Sequence, residues 1–386
     1  MASAMPLDAF PPDIAGATLG TAQLWWLERM ATTSNPLEEK LTLHWHNHFA
    51  TAFSKVGQVS LMLRQNGLLR SMAGGNFREL CNAITADPAM LIWLDGNTNH
   101  AGSPNENFGR EFLELFTLGR NRYTQQDVRA AARSFTGYTV DQFGNVRFDA
   151  RRYDASPKTL LGATGRWAAA DVTNIVLDHH PQGPVAADYI ATRTAAFFHQ
   201  PEPEKHLVAA MAAAFRGSGY EIKPMLRALF IQPEFLDGPT LTIKSPAELV
   251  AGTFKALAVD ATDPNWPPAL ASMGQQLFNP PSVAGWRGGA AWANTATSLA
   301  RYNFASKVAD EVELNQVSDV LDSVDGDPHR TAMPWMNKLG LLDLRPRTRQ
   351  AIDDYTKAGA AAGASDYDLA RGVLTLLLAS PDYNLR

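Results

Sequence analysis

The stretch Asn105-Glu106-Asn107-Phe108-Gly109-Arg110-Glu111-Phe112-Leu113-Glu114-Leu115-Phe116-Thr117-Leu118-Gly119 decides how the chain is read. At about 100° per residue, Phe108, Phe112, Leu115 and Phe116 share one face of a helix. Glu106, Asn107, Arg110, Glu111 and Glu114 fill the opposite arc. Arg110 stands one turn from Glu106 and one turn from Glu114, so it can pair with either. Gly119 ends the helix. The stretch is the densest mix of carboxylate, amide and guanidinium in the sequence, with an apolar side behind it.

The same period recurs outward in both directions. Upstream, Thr21 to Ala31 reads as a buried helix around Trp25 and Trp26. Thr33-Ser34-Asn35-Pro36 then starts another, with proline in its first turn. That helix, Leu37 to Ala50, carries His44-Trp45-His46-Asn47-His48. Helical spacing turns Leu37, Leu41, His44, Trp45, His48 and Phe49 inward and puts His46 and Asn47 on the other side. His44 and His48 form an i, i+4 pair, a spacing that can ligate a metal from one helix face. Two core histidines bonded to neighbours fit the same spacing, and the Glu of an HExxH motif is absent. Helices at 59–72 and 76–86 follow, separated by Gly74-Gly75. Downstream, Thr124 and Asp127 predict a capped helix start, with Arg129 and Arg133 on the flank of the helix.

Residues 139–165 do not read as helix. Val140, Phe143, Val146 and Phe148 around Gly144-Asn145 predict a small β-hairpin near 139–150. Arg151, Arg152, Asp154 and Lys158 lead into Leu161-Gly162-Ala163-Thr164-Gly165, a glycine-rich turn with a nearby lysine but no Walker pattern. From 171 the helical period returns, with helices expected at 171–178, 184–198, 203–217, 221–231, 245–258, 265–278, 297–314, 316–323, 330–338, 346–360 and 366–379. Gly285-Trp286-Arg287-Gly288-Gly289 and Trp292 form an aromatic, glycine-rich loop. The expectation is an all-α protein. An irregular segment at 1–18 precedes a multi-helix domain over 19–386, divisible into 19–138 and 171–386 around the insertion 139–170. Three apolar helices each stop before a proline, at Pro88, Pro233 and Pro381. An old duplication explains this, as does one helix stop used three times.

The totals bound the function. A chain of 386 residues with 45% hydrophobic and 19% charged content can bury a large core. A net charge of −5 favours neither nucleic acid nor an acidic membrane surface. A lone cysteine, Cys81, excludes a disulfide framework and a cysteine-based zinc site. No apolar run reaches the ~18 residues of a membrane span. Met1 to Pro12 shows no signal-peptide pattern, so the chain reads as either cytoplasmic or shorn of a leader.

On His44 to Phe49, Asn105 to Gly119, Asp154 with Lys158 and Leu161-Gly162, Lys244-Ser245-Pro246, and Pro281 to Trp292 with Arg301 and Asn303, the chain resembles the bacterial domain of unknown function 1800 family over residues 35 to 386. The resemblance implies a mostly helical, commonly exported protein. It also implies a partner, since members are often encoded beside a sulfatase-like family, domain of unknown function 1501. It shifts weight from His44 to His46 and His48, which cannot share a helix face.

Three functions compete. The first is a hydrolase in which Glu106, Glu111 and Glu114 supply acid and base, with Arg110 separating their pKa values. Trp45, Trp286 and Trp292 then stack on sugar rings, with Asn107, Asp127, Arg133, Asp154 and Lys158 as further substrate contacts. Two carboxylates on one helix are closer than inverting hydrolysis needs, so a partner such as Asp127 or Asp154 is called for. The second is a divalent-metal enzyme in which His46 or His44, together with His48 and a glutamate from the 105–119 helix, makes a His/carboxylate site. The third is a binding or assembly protein whose charged helix face is a network of ion pairs.

Overall fold

Polar caps and prolines set where the helices begin. Asn76 accepts from the N–H groups of Arg78 and Glu79 and opens Phe77–Thr85. Asp87 accepts from Met90 N and opens Pro88–Trp93, with proline in the first turn where its missing N–H costs nothing. Thr124 and Asp127 cap each other ahead of Gln125–Ser134, as Ser245 and Glu248 do ahead of Pro246–Leu257. The computed structural model describes residues 16–236 and 242–385. Most of the segment expected to be irregular at 1–18 lies outside them. Among the described residues the protein is all-α, with two small antiparallel hairpins as its only sheets.

These residues group into two compact units: 16–22, 35–236 and 278–286 in the first, and 23–34, 242–277 and 287–385 in the second. The first unit is built on an aromatic core. Trp45, Phe49, Phe77, Phe112, Phe116 and Phe215 are all fully buried. Phe49 meets Phe116 edge-on at 5.2 Å and Phe77 meets Phe215 at 5.7 Å. Each such side chain contributes about 1.5–3 kcal/mol by leaving water. Gly109 lets the Glu106–Glu111 helix approach Gln125–Ser134. A Cβ there would stand 2.8 Å from Ala132 N.

The insertion contains two hairpins. Tyr138–Val140 pairs with Val146–Phe148 in the register Tyr138↔Phe148, and the Asp141 carboxylate organises the turn through Phe143 N and Asn145 N. The glycine-rich turn at 161–165 is the end of a second hairpin, Lys158–Leu160 with Ala163–Gly165. Its two turn residues, Leu161 and Gly162, both have positive φ, +49° and +85°. That is the twist a two-residue hairpin turn demands, and Asp127 Oδ1 holds the strained Leu161 by its N–H at 2.7 Å. Three-residue strands are too short for alternation to reveal them.

Two other expectations change. Leu37 is 41% exposed rather than inward, because it sits in the first turn of Pro36–His48. The helix expected over 265–278 is Trp266–Ser272, ended by Gly274 at φ +97°. In the second unit Thr295–Glu311 and Pro346–Ala361 pack on Asp366–Ala379. Trp335 donates from Nε1 to Ala370 O at 3.0 Å. Arg301 ties the chain end to residue 244, donating to Asn384 Oδ1 and Lys244 O.

All three prolines do follow a helix stop, opening Pro88–Trp93, Pro233–Leu236 and Pro381–Asn384. The first two copies are more alike than one shared stop requires. Phe77–Thr85 and Ile222–Phe230 have equal length, and their starts pair antiparallel at Asn76↔Glu221. Phe77 N donates to Tyr220 O, and Ile222 N returns a bond to Gly75 O.

Candidate functional site

The opening stretch does not continue as one α-helix. Glu106–Glu111 is α-helical, and Phe112–Leu118 widens into a π-helix. Such turns waste backbone hydrogen bonding and recur at functional sites. Here three side chains help hold it. Thr117 Oγ1 donates to Phe112 O at 2.6 Å, Tyr189 OH to Leu115 O at 3.0 Å, and His48 Nε2 to Phe116 O at 3.0 Å. Widening turns Leu113 inward with Phe108, Phe112 and Phe116, while Leu115 is only half-buried.

The polar arc divides in two. Glu106 is saturated: Gln125 Nε2 donates to it at 2.6 Å, Arg110 at 3.0 Å and Arg129 at 3.4 Å. The Gln125 bond leads in holding its carboxyl below the usual range. Asn107 Nδ2 reaches Asp95 Oδ2 at 3.1 Å. Arg110 pairs with Glu106 and Gln125 Oε1. Glu114 instead takes the Tyr123 hydroxyl and, at 2.9 Å, Arg120 Nε. Glu111, half-buried between these groups, has no hydrogen-bond donor among the described residues. Burial, then the neighbouring Glu114 charge, pushes its carboxyl up, against weaker pulls from Arg110 and Arg120. Two carboxylates one turn apart therefore sit in unlike environments, the arrangement from which acid and base roles arise.

The three histidines are all buried. Burial holds His46 and His48 down at about 3, and His44 well below its ordinary value. All three are neutral at pH 7. His48 donates from Nε2 to a carbonyl, so Nδ1 is a bare, buried acceptor. His44 Nε2 meets Thr194 Oγ1 at 3.3 Å, and its ring stacks 6.2 Å from His48. His46, expected to face outward, lies on a second buried side, 5.6 Å from Trp286 and 5.7 Å from Phe278. Its neighbour Asn47 accepts from Trp286 N at 2.7 Å. The helix is thus packed on two sides. Among the described residues no three His, Cys, Asp or Glu side chains come together as a metal ligand set.

The remaining candidates are placed as follows. Trp45 is fully buried, its Nε1 donating to Ala73 O at 2.8 Å. Trp286 and Trp292 are each 6% exposed, and Trp292 belongs to the second unit. Asp127 spends both oxygens on Thr124 and Leu161. Arg133 pairs with Asp154 at 2.6 Å and also donates to Ser156 and Pro157. Burial opposes ionisation of Asp154, yet the Arg133 and Ser156 bonds outweigh it and hold the carboxyl far below the usual range. Lys158 is 2% exposed, its ammonium held by the carbonyls of Asp154, Ser156 and Trp167 and lying over the Tyr153 ring. That is an internal clamp on the insertion. Sequence reasoning missed Tyr123, Arg120, Gln125 and Tyr189 as partners of the 105–119 stretch. No local pattern marks them, because each acts across a turn or from another helix.

The family described as "Protein of unknown function (DUF1800)" matches residues 13–385. No curated protein and no solved structure matches the chain.

Proposed function

We propose that this chain, which belongs to the DUF1800 family of proteins of unknown function, is a hydrolase that uses Glu111 as general acid and Glu114 as general base. The observation that carries the reading is the asymmetry of the pair. Glu111 is half-buried, without a hydrogen-bond donor among the described residues, and burial together with the Glu114 charge pushes its carboxyl up from the ordinary value, the direction a general acid needs. Glu114 accepts from the Tyr123 hydroxyl and from Arg120 Nε, so its oxygens are held in place by two donors. The pair is too close for inverting glycoside hydrolysis, so the step it allows is on an ester. Water adds to the carbonyl carbon as Glu114 takes a proton from it, and Glu111 delivers its proton to the leaving alkoxide oxygen as the C–O bond breaks. Arg110 moves away from the pair in this reading, since it is committed to Glu106.

The test is a glycoside and ester hydrolysis screen on the purified chain, repeated with Glu111→Gln and Glu114→Gln. Activity that depends on both residues supports the assignment. Activity that survives both substitutions removes these residues from it.

A second reading is a non-catalytic assembly protein, with a sulfatase-like partner of the domain of unknown function 1501 family. It draws support from the second unit, where Leu342, Leu314, Leu299 and Met333 are 100%, 65%, 60% and 59% exposed. Exposed apolar side chains mark a surface that associates where they form one contiguous patch. Co-purification with such a partner, abolished by Leu314→Glu and Leu342→Glu, tests it. No helix among the described residues is long and apolar enough to cross a membrane.

A further inference from the structure

Tyr123 belongs to two places at once. Its hydroxyl donates to Glu114, and its ring lines a recess of about 390 Å³ with Asn121, Arg122, Gln126, Thr159 and Gln182. That volume is in the range of small-ligand pockets. The second hairpin forms one side of the recess through Thr159, Leu161 and Gly162, and His180 and Pro181 form another.

The groups that line it divide into spent and free. Asp127 is spent on Thr124 and Leu161. His180 accepts from Gln182 N at Nδ1 and donates from Nε2 to Arg122 O, so both of its ring nitrogens are spent as a brace. The Asn121 and Gln126 amides are free of hydrogen bonds among the described residues. Gln182 uses only its Oε1, accepting from Arg122 at 2.8 Å, which leaves its NH2 free. The Arg122 guanidinium has no carboxylate partner among the described residues. Three carboxamide residues, a tyrosine and an arginine with no carboxylate partner among the described residues thus line a single small recess.

We propose that this recess binds an acidic saccharide. Its hydroxyls bond the Asn121, Gln126 and Gln182 amides, one sugar face lies on the Tyr123 ring, and its anionic group sits on Arg122. A carboxamide can donate and accept at once, which suits hydroxyls. A guanidinium forks onto a carboxylate or a sulfate ester with two parallel bonds. The assignment as a substrate subsite rests on the reading of Glu111 and Glu114 as the reacting pair, since Tyr123 puts a bound ligand one side chain from Glu114.

The experiment is calorimetric titration of the full chain with a trigalacturonate, a sulfated chondroitin disaccharide and neutral maltotriose. An acidic probe binds, and Arg122→Gln lowers its affinity tenfold or more while leaving the melting temperature unchanged. The fold survives that change because the bond from His180 goes to the Arg122 main chain. Because the chondroitin disaccharide carries a uronate carboxylate beside its sulfate, comparing it with its desulfated form identifies the anion as carboxylate or sulfate. The proposal fails if maltotriose binds as well as the acidic probes, if Arg122→Gln changes nothing, or if none of the three binds. Binding without turnover in the wild-type chain keeps the recess and removes the hydrolase. Turnover of an unrelated substrate without acidic-saccharide binding does the reverse.

Discussion

Two charged clusters of the first unit invite comparison, one around Asp154 and the other around Glu111. Both were written in the sequence as carboxylates among arginines and lysines. In the first, every charge is answered: Arg133 takes Asp154, and Lys158 takes three carbonyls. In the second, Glu106 and Glu114 are answered and Glu111 between them is not. The difference teaches that charge density says little about chemistry. A group with all its partners is a brace. A half-buried carboxyl pushed up from its ordinary value and lacking a donor among the described residues is the kind of group that reactive sites use.

Removing the brace has the largest expected effect. Lys158→Met fills the volume but leaves three inward carbonyls without a donor. The expected loss is about 3 kcal/mol of unfolding free energy, read from urea denaturation. A loss under about 0.5 kcal/mol would break the contrast, since the cluster would then not be structural.

Glu111→Gln comes next. The expected activity loss is about 100-fold, which is about 2.7 kcal/mol in the barrier, with stability unchanged or raised. The sign follows from its pKa. A carboxyl raised in the folded state is favoured while protonated, so its contribution to stability is present at low pH and is lost as pH rises through the folded value. The variant therefore unfolds with a flatter pH dependence on the acid side than the wild type. If Glu111→Gln instead destabilises the fold as much as Lys158→Met, Glu111 is a brace after all.

Asp87 sharpens the comparison, because it shows that a raised pKa alone does not make a site. Burial pushes it up to about 6, although Met90 N and Gln65 Nε2 donate to it. Its contribution to stability is present below its ordinary value and lost as pH rises to about 6. Asp87→Asn keeps the cap and removes the charge. It is expected to match the wild type at pH 3.5 and to exceed it at pH 8 by on the order of 1–3 kcal/mol, with activity unchanged. Equal stabilities at both pH values would place Asp87 in a wetter setting than its burial indicates.

The smallest effect belongs to Glu106→Gln. Its pairs with Arg110 and Arg129 are solvent-exposed ladders, so the change in stability is expected to stay within about 0.5 kcal/mol and to shrink with added salt. A larger, salt-independent loss would join Glu106 to the Asp154 kind of cluster.

Much of the helical architecture was legible, because periodicity and caps are local. Pro36, Thr124 with Asp127, and Ser245 with Pro246 announce their helices in two to four residues, and those helices start where expected. The second hairpin was not legible, since Leu161 accepts its left-handed backbone only with Asp127 as anchor, thirty-four positions earlier. Nor was the burial of His46, which an outward helical position conceals until Phe278 and Trp286 return over it.

The sequence alone determined an all-α chain, its helix starts, its charge balance and the family it belongs to, for these depend on neighbours within a few residues. The widening of Phe112–Leu118 into a π-helix was decided by tertiary structure, because His48 and Tyr189 from other helices supply donors to its carbonyls. Tertiary structure also decided which glutamate is free. Tyr123 and Gln125 reach Glu114 and Glu106 across a turn, and among the described residues no donor reaches Glu111. Burial and partners, which no local pattern records, set that carboxyl apart from its two neighbours.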